Sequence, residues 1–454
     1  MRLAIIGCGY VGLVTGSCLA ELGNKVICVD SNEEKIDQLS KDIVPIYEPG
    51  LSKLIKTNVR AGRLSFTTGV KDSVENSEII FITVGTPLKD DGSPDLGRIE
   101  QAAKQIAGCI NCYKIIVVRS TVPVGITYKM KVLMSIFSKY EFDIANNPEF
   151  LKEGTAVDDF LKPDRIILGV ESNKARQKLL ELYEPFAKAG KPVYTMDIKS
   201  SELTKYAANA MLSTKISFIN EIANLCEYLD ADIDQVHKGI CSDGRIGQSF
   251  LNPGIGYGGS CLPKDICALI HMAKEKGYNA NVLEAVHRTN EYQKQSLIKK
   301  IKQFYDTNLA DIILAVWGLS FKPGTDDIRD APSLTLLNSL LACGITIRVH
   351  DPKALTNIHN TYGNKLTYCS EPYEALENVD GLCVLTEWDV YRNVDFEEIK
   401  ALMKQPVIFD GRNIYSREQM ENHKFTYFGI GRKPLNFEKQ ISAVSRRTVI
   451  DELV

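Results

Sequence analysis

The chain has 454 residues, 44% of them hydrophobic and 24% charged, and at roughly 150 residues per domain it is too long for one ordinary core. No run of about 18 apolar residues could span a bilayer. Its 54 basic and 57 acidic side chains leave a formal charge of -3 without long single-sign blocks, which argues against nucleic acid as a partner. The amino terminus has too short an apolar run for a secretory signal, and the twelve cysteines follow no repeating spacing, so reduced thiols in a cytoplasmic setting are expected.

Taken in chain order, β-branched runs at residues 3–6, 26–29, 79–84, 115–118, 144–146 and 166–170 alternate with helical patterns, which predicts a parallel sheet covered by helices. The first run ends in Gly7-Cys8-Gly9-Tyr10-Val11-Gly12, a G-x-G-x-x-G that opens a helix to about residue 22. There Gly7 turns the chain, Gly9 lets backbone approach a pyrophosphate, and Gly12 lets helix pack on strand. Asp30 ends the second strand about 20 residues on, where a carboxylate takes ribose hydroxyls and repels a 2′-phosphate, favouring NAD over NADP. The plain alternative is a turn followed by a helix cap. Polar or proline-bearing loops containing Thr86, Thr121 and Glu149 follow later strands and are expected to converge on one crevice. Cys109 and Cys112 form a lone CxxC with no second pair, so no metal is expected.

Residues 200–238 lack Pro and Gly and carry apolar residues near helical spacing, which predicts one long central helix. Its apolar content exceeds what a small middle domain needs to cover, so a homodimer is expected. Lys205 and Asn209 lie one turn apart on it, a cation and an amide that suit an oxyanion, although a solvated pair is the ordinary reading. Residues 254–265 form a glycine-dense loop in which Cys261 precedes Pro263, a favoured first helical residue. A helix start with Lys264 beside it should lower the thiol pKa and favour a nucleophilic thiolate. Asp265, Glu149 and Glu153 are candidate bases. A second α/β pattern follows, with strands at 312–316, 345–349, 382–385 and 407–409 and a helix near 333–341. The fold class is therefore α/β, two Rossmann-like doubly wound domains joined by a long central helix and a helical middle domain.

These residues resemble the UDP-glucose/GDP-mannose dehydrogenase family over essentially the whole chain, through GCGYVG, VGTP, STVPVG, NPEFLKEG, FLNPGIGYGGSCLPKD and FKPGTDDIRDAP in order. The stretch Asp243-Gly244-Arg245-Ile246-Gly247 before FLNPGIGYGGSC is most similar to the UDP-glucose branch, with GDP-mannose or a UDP-N-acetylhexosamine as the alternative substrate. The resemblance implies an NAD-binding domain over 1–199, a helical dimerisation domain with the cysteine loop over 200–300, and a UDP-sugar-binding domain over 301–454. It also implies oxidation of a sugar C6 alcohol to a carboxylate with two NAD reduced, through a thiohemiacetal and a thioester on Cys261. Lys205 and Asn209 then serve the oxyanion, and Asp265, Glu149 and Thr121 position or activate water.

Substrate contacts implied are Glu149, Phe150, Leu151, Lys152, Glu153, Lys205, Asn209, Arg245, Phe250, Leu251, Asn252, Pro253, Gly254, Gly258, Lys322 and Arg412. For NAD they are Gly7, Gly9, Val11, Gly12, Asp30, Lys35, Thr86, Thr121, Glu153, Lys264 and Arg329. Ala331 and Leu262 stand where the family usually has Ser and Phe. A two-electron hydroxy-acid dehydrogenase would share the first domain and a Lys-plus-Asn helix but needs no thiol, and a silent nucleotide-binding scaffold would need neither Cys261 nor Lys205.

Overall fold

Buried β-branched runs build two sheets in a computed structural model that describes residues 1–89, 91–306 and 309–436. The first sheet contains β1 (Arg2–Ile6), β2 (Lys25–Val29), β3 (Leu64–Thr67), β4 (Ile79–Ile82), β5 (Lys114–Val118), β6 (Phe142–Asn146), β7 (Ile166–Val170) and β8 (Val193–Met196). Its order is β3-β2-β1-β4-β5-β6-β7-β8, and only the β6–β7 pairing is antiparallel. Leu3 and Ile5 of β1 face one helix layer, while Ala4 and Ile6 face the other. That two-sided burial explains why the central strands read as continuous apolar runs, each fully buried Ile or Leu contributing about 1.5–3 kcal/mol.

The second sheet contains β9 (Ile313–Trp317), β10 (Thr346–His350), β11 (Thr367–Tyr368), β12 (Gly381–Val384), β13 (Val407–Asp410) and β14 (Thr426–Phe428). It is parallel throughout, in the order β11-β10-β9-β12-β13-β14. This 3-2-1-4-5-6 arrangement repeats the first six strands of the other sheet and is the doubly wound dinucleotide-fold order. The expected fold class is thus what the structure has.

Among the described residues, five α-helices separate the sheets in sequence: Ile198–Tyr228, Ile233–Cys241, Leu262–Glu275, Asn281–Gln293 and Ser296–Tyr305. The single helix expected through residue 238 is two. The break falls where Asp230 takes a left-handed φ of 54° and Asp232 caps the second helix by accepting the Asp234 N–H at 2.8 Å.

The chain packs as two units, one made of Met1–Lys215, Tyr257–Thr289 and Phe321–Asp330, the other of Ile216–Gly256, Asn290–Ser320 and the chain from Ala331 onward. Residues 437–454 of the expected third domain lie outside the described residues. No helix among the described residues is long and apolar enough to cross a membrane.

Candidate active site

The dinucleotide loop leaves β1 at Gly7, whose φ of 107° is open to glycine and strained for other residues. A Cβ on Gly12 would run into the Gly7 carbonyl, whereas one on Gly9 would meet nothing within 4 Å. The space above Gly9 is therefore closed by no protein atom, at the start of helix Tyr10–Glu21, as a bound pyrophosphate requires. Asp30 accepts the Cys8 N–H at 2.8 Å, the Asn32 N–H at 3.0 Å and the Lys35 ammonium at 2.9 Å. Burial pushes its carboxyl up, but these donors outweigh burial and hold it below the ordinary carboxylate value. Thr86 and Thr121 follow β4 and β5, and the Thr86 hydroxyl donates to the Thr121 carbonyl at 2.7 Å. The loops after β1, β2, β4 and β5 thus offer the groups that NAD binding needs.

The helix Ile198–Tyr228 carries Lys205 and Asn209 side by side, 4% and 7% exposed, so they are not a solvated pair. Lys205 Nζ lies 3.1 Å from Glu149 Oε1 and 5.3 Å from the Phe150 ring centre. Burial lowers its affinity for a proton, but Glu149, Cys261 and Asp265 raise it further, so the ammonium persists above its ordinary range. Glu149 is buried, yet Lys205 and the Leu151 N–H keep its carboxyl below the usual value. Asn209 Nδ2 donates to Asp265 Oδ2 at 2.6 Å, and the other carboxylate oxygen of Asp265 pairs with Lys264.

Cys261 occupies the N-cap position of helix Leu262–Glu275, with Pro263 in the first turn as the sequence implied. The expected depression of its pKa is corrected by the structure. Burial and the Glu149 and Asp265 charges push the thiol above its ordinary value, against the opposing influence of Lys205 and a contact with Ser260. Lys264, close in sequence, is engaged by Asp265; the cations that act on the sulfur are Lys205 and Arg329.

Beside the thiol lies a second group of charges. Glu153 Oε2 accepts the Thr325 hydroxyl at 3.1 Å, while Oε1 lies 3.4 Å from both Ser260 Oγ and Arg329 Nη2. Arg329 also pairs with Asp327 at 2.6 Å. Burial and the Asp327 charge push the Glu153 carboxyl up to about 7, against the pull of Arg329, Thr325 and Lys322. Two glycines let this segment close up: a Cβ on Gly154 would lie 2.9 Å from the Gly324 carbonyl. Lys152 pairs with Asp159 at 3.1 Å, and Arg165 stacks 3.8 Å over the Phe150 ring.

Sequence reading missed Glu48, Ser260, Thr325 and Asp327, and gave Tyr10 no role. The buried Glu48 carboxylate accepts the Gly154 and Ala156 N–H groups at 2.6 and 2.7 Å and the Tyr10 hydroxyl. It thereby ties the glycine-loop helix to the loop bearing Glu149 and Glu153. A glutamate before Pro49-Gly50 was the only available signal, and helix capping explains it equally well.

The other unit holds Arg245, Phe250, Leu251, Asn252, Pro253, Gly254 and Arg412. Arg245 is 90% exposed at its side chain and pairs with Asp243. Phe250 has a left-handed φ of 65°, and Gly254 is gripped by Asn220 at 2.8 Å and Gln293 at 2.7 Å. Arg412 donates to the Gly256 and Leu385 carbonyls at 3.0 and 2.9 Å, so it braces the loop that carries Gly254. Leu251 is buried, Asn252 is exposed, and Gly258 is buried within the first unit. Among the described residues no three His, Cys, Asp or Glu side chains are grouped to hold a metal ion.

Models of the UDP-glucose/GDP-mannose dehydrogenase family match the chain in three parts: the NAD binding domain at residues 1–187, the central domain at 199–292 and the UDP binding domain at 315–417. The UDP-glucose 6-dehydrogenase of Pseudomonas aeruginosa is 43% identical over 95% of this chain and 98% of its own. A UDP-glucose dehydrogenase structure from Pyrobaculum islandicum superposes with a TM-score of 0.88 at 34% identity, covering 95% of this chain and 98% of that one. A UDP-D-ManNAc dehydrogenase structure from Pyrococcus horikoshii gives 0.83 at 27% identity, over 95% and 99%.

Proposed function

The chain belongs to the UDP-glucose/GDP-mannose dehydrogenase family, NAD-dependent oxidoreductases, and from that premise we propose that it oxidises UDP-glucose at C6 to UDP-glucuronate through a covalent intermediate on Cys261. The observation that carries the reading is the grouping of the partly exposed Cys261 with the buried Lys205, Asn209, Glu149 and Asp265.

NAD, when bound, accepts a hydride from C6 in each of the two oxidations. The chain's own groups do the rest. In the first oxidation the C6 hydroxyl proton passes to a carboxylate or a water held by Glu149, Asp265 and Thr121, and the developing alkoxide faces the Lys205 ammonium and Asn209 amide. The Cys261 thiolate then adds to the aldehyde carbon, forming a C–S bond, and the carbonyl oxygen takes a proton to give a thiohemiacetal. Loss of that proton and of the second hydride leaves a thioester. Water attacks its carbonyl carbon, the C–S bond breaks, and a carboxylate and the free thiol result. Lys205 suits each anionic stage because its neighbours keep it charged.

UDP-glucose is favoured over another nucleotide sugar by the Asp243–Gly247 stretch and by the names of relatives 43% identical to this chain. The UDP-sugar side falls to the domain over 301–454 and to Phe250, Leu251, Asn252, Pro253 and Gly254, and the NAD side to the domain over 1–199. Domain 200–300 serves dimerisation: Met211, Phe218 and Leu225 recur every seven residues on the long helix and are 58%, 53% and 47% exposed, an apolar stripe that a second copy would cover. A cytoplasmic location accords with twelve free thiols.

The test is turnover of UDP-glucose, UDP-N-acetylmannosamine and GDP-mannose by the parent and by Cys261→Ser. The expected result is preference for UDP-glucose and loss of steady-state turnover in the variant. No turnover with UDP-glucose refutes the substrate, and undiminished turnover in Cys261→Ser removes the thiol from the mechanism.

A further inference from the structure

Cys261 presents a difficulty that its neighbours must solve. Its thiol is only partly exposed, burial and the Glu149 and Asp265 charges disfavour the nucleophilic thiolate, and both carboxylates are already engaged. Glu149 is held in its charged form by Lys205 and the Leu151 N–H. Asp265 is occupied by Asn209 and Lys264. Ser260 Oγ lies 3.6 Å from Cys261 Sγ and 3.4 Å from Glu153 Oε1.

We propose that the Ser260 hydroxyl is a catalytic proton relay, carrying the Cys261 thiol proton to the Glu153 carboxylate. The step balances without a further reactant. The S–H bond breaks as its proton joins Ser260 Oγ, the hydroxyl's own proton passes to Glu153 Oε1, and a thiolate and a neutral carboxylic acid remain. When the thiol leaves the product the same path runs backward and returns the proton to sulfur. A hydroxyl is the smallest group that can accept from a thiol and donate to a carboxylate together.

The groups facing both ends support this direction. Asp327 and burial destabilise the Glu153 anion, and its carboxyl is poised near neutrality, where an acceptor works best. Arg329, Thr325 and Lys322 restrain it from the other side, so it remains partly ionised as an acceptor must. At the sulfur, the Lys205 and Arg329 charges favour the thiolate once formed, while Glu149 and Asp265 oppose it. The Gly259 N–H donates to the Arg329 carbonyl at 2.8 Å, which fixes the backbone beside Ser260 against the segment carrying Asp327.

The inference rests on Cys261 being the nucleophile, so Cys261→Ser runs as a control in the same assays. The variants are Ser260→Ala, Ser260→Thr and Glu153→Gln, read by the pH profile of UDP-glucose turnover and by alkylation of Cys261 with iodoacetamide in the absence of substrate. Ser260→Ala is expected to lower kcat at neutral pH by about tenfold or more with little change in KM. Activity should recover as pH rises past the ordinary thiol value of 9.0, where hydroxide takes the proton directly. Alkylation at neutral pH should slow in the same variant, and Ser260→Thr, which keeps the hydroxyl, should restore both. Glu153→Gln should show the same neutral-pH deficit. A Ser260→Ala enzyme with parental kcat and alkylation, a loss equal at every pH, or a Thr variant as impaired as Ala overturns the relay. A fully active Cys261→Ser instead overturns the nucleophile on which it stands.

Discussion

The two sheets use one scaffold to opposite ends at equivalent points. In the first, Gly7 N–H donates to the Val29 carbonyl and Cys8 N–H to Asp30; in the second, Gly318 N–H donates to His350 and Leu319 N–H to Asp351. Both acids directly follow the second strand of their order. Asp30 has three donors and a side chain 13% exposed, which leaves room for a ligand hydroxyl. Asp351 is 2% exposed and accepts from Leu319, Ser320, Lys353 and Ala354 backbones, the Ser320 hydroxyl and the Trp388 indole. A carboxylate offers about four acceptor sites, so Asp351 is saturated. Where Gly9 leaves open space, the second loop has Ser320. The same topology thus leaves an acceptor open to a ligand in one place and builds a structural knot in the other, and the difference lies in spare hydrogen-bonding capacity.

That contrast is open to attack by mutation. Asp351→Ala should orphan several buried donors and cost about 3–5 kcal/mol in denaturant unfolding, with NAD affinity nearly unchanged; a clear loss of NAD affinity with little loss of stability would erase the distinction. Asp30→Ala should do the reverse, weakening NAD binding about tenfold, or about 1.4 kcal/mol, as read by titration calorimetry.

A pH experiment sharpens the view of the first unit. Glu153 has a folded pKa of about 7 against an ordinary 4.5, so its contribution is fully present below 4.5 and is lost as pH rises through 7. Melting temperature of the parent should therefore fall over that window by more than that of Glu153→Gln, and parallel curves would contradict the assignment. The smallest effect is expected at Glu48→Gln, about 1 kcal/mol, because one oxygen still serves the Gly154 or Ala156 N–H while the bond to the Tyr10 hydroxyl is disturbed. Faster amide exchange at Gly154 should accompany it.

Legibility in the sequence followed burial. Every central strand was foreseen, because β-branched runs such as those of β4 and β5 are buried on both faces. The four strands not foreseen, β3, β8, β11 and β14, are the four sheet edges, and β8 and β11 are short and partly exposed, so little apolar pattern marks them. The glycine loop, Asp30 and the Lys205–Asn209 pair could be read because spacing within one element fixes their geometry. The thiol's charge environment could not. Lys264 and Asp265 are its neighbours in sequence, but Lys205, Glu149 and Arg329 act on it from elements that only folding brings together. The same holds for Glu48, whose three partners lie on two distant segments.

The central claim is a four-electron oxidation carried by one thiol. Its most direct test is the amount of NADH formed per UDP-glucose consumed by the purified enzyme. The account predicts two, with UDP-glucuronate as the sole sugar product; a ratio of one, with a released aldehyde, would contradict it.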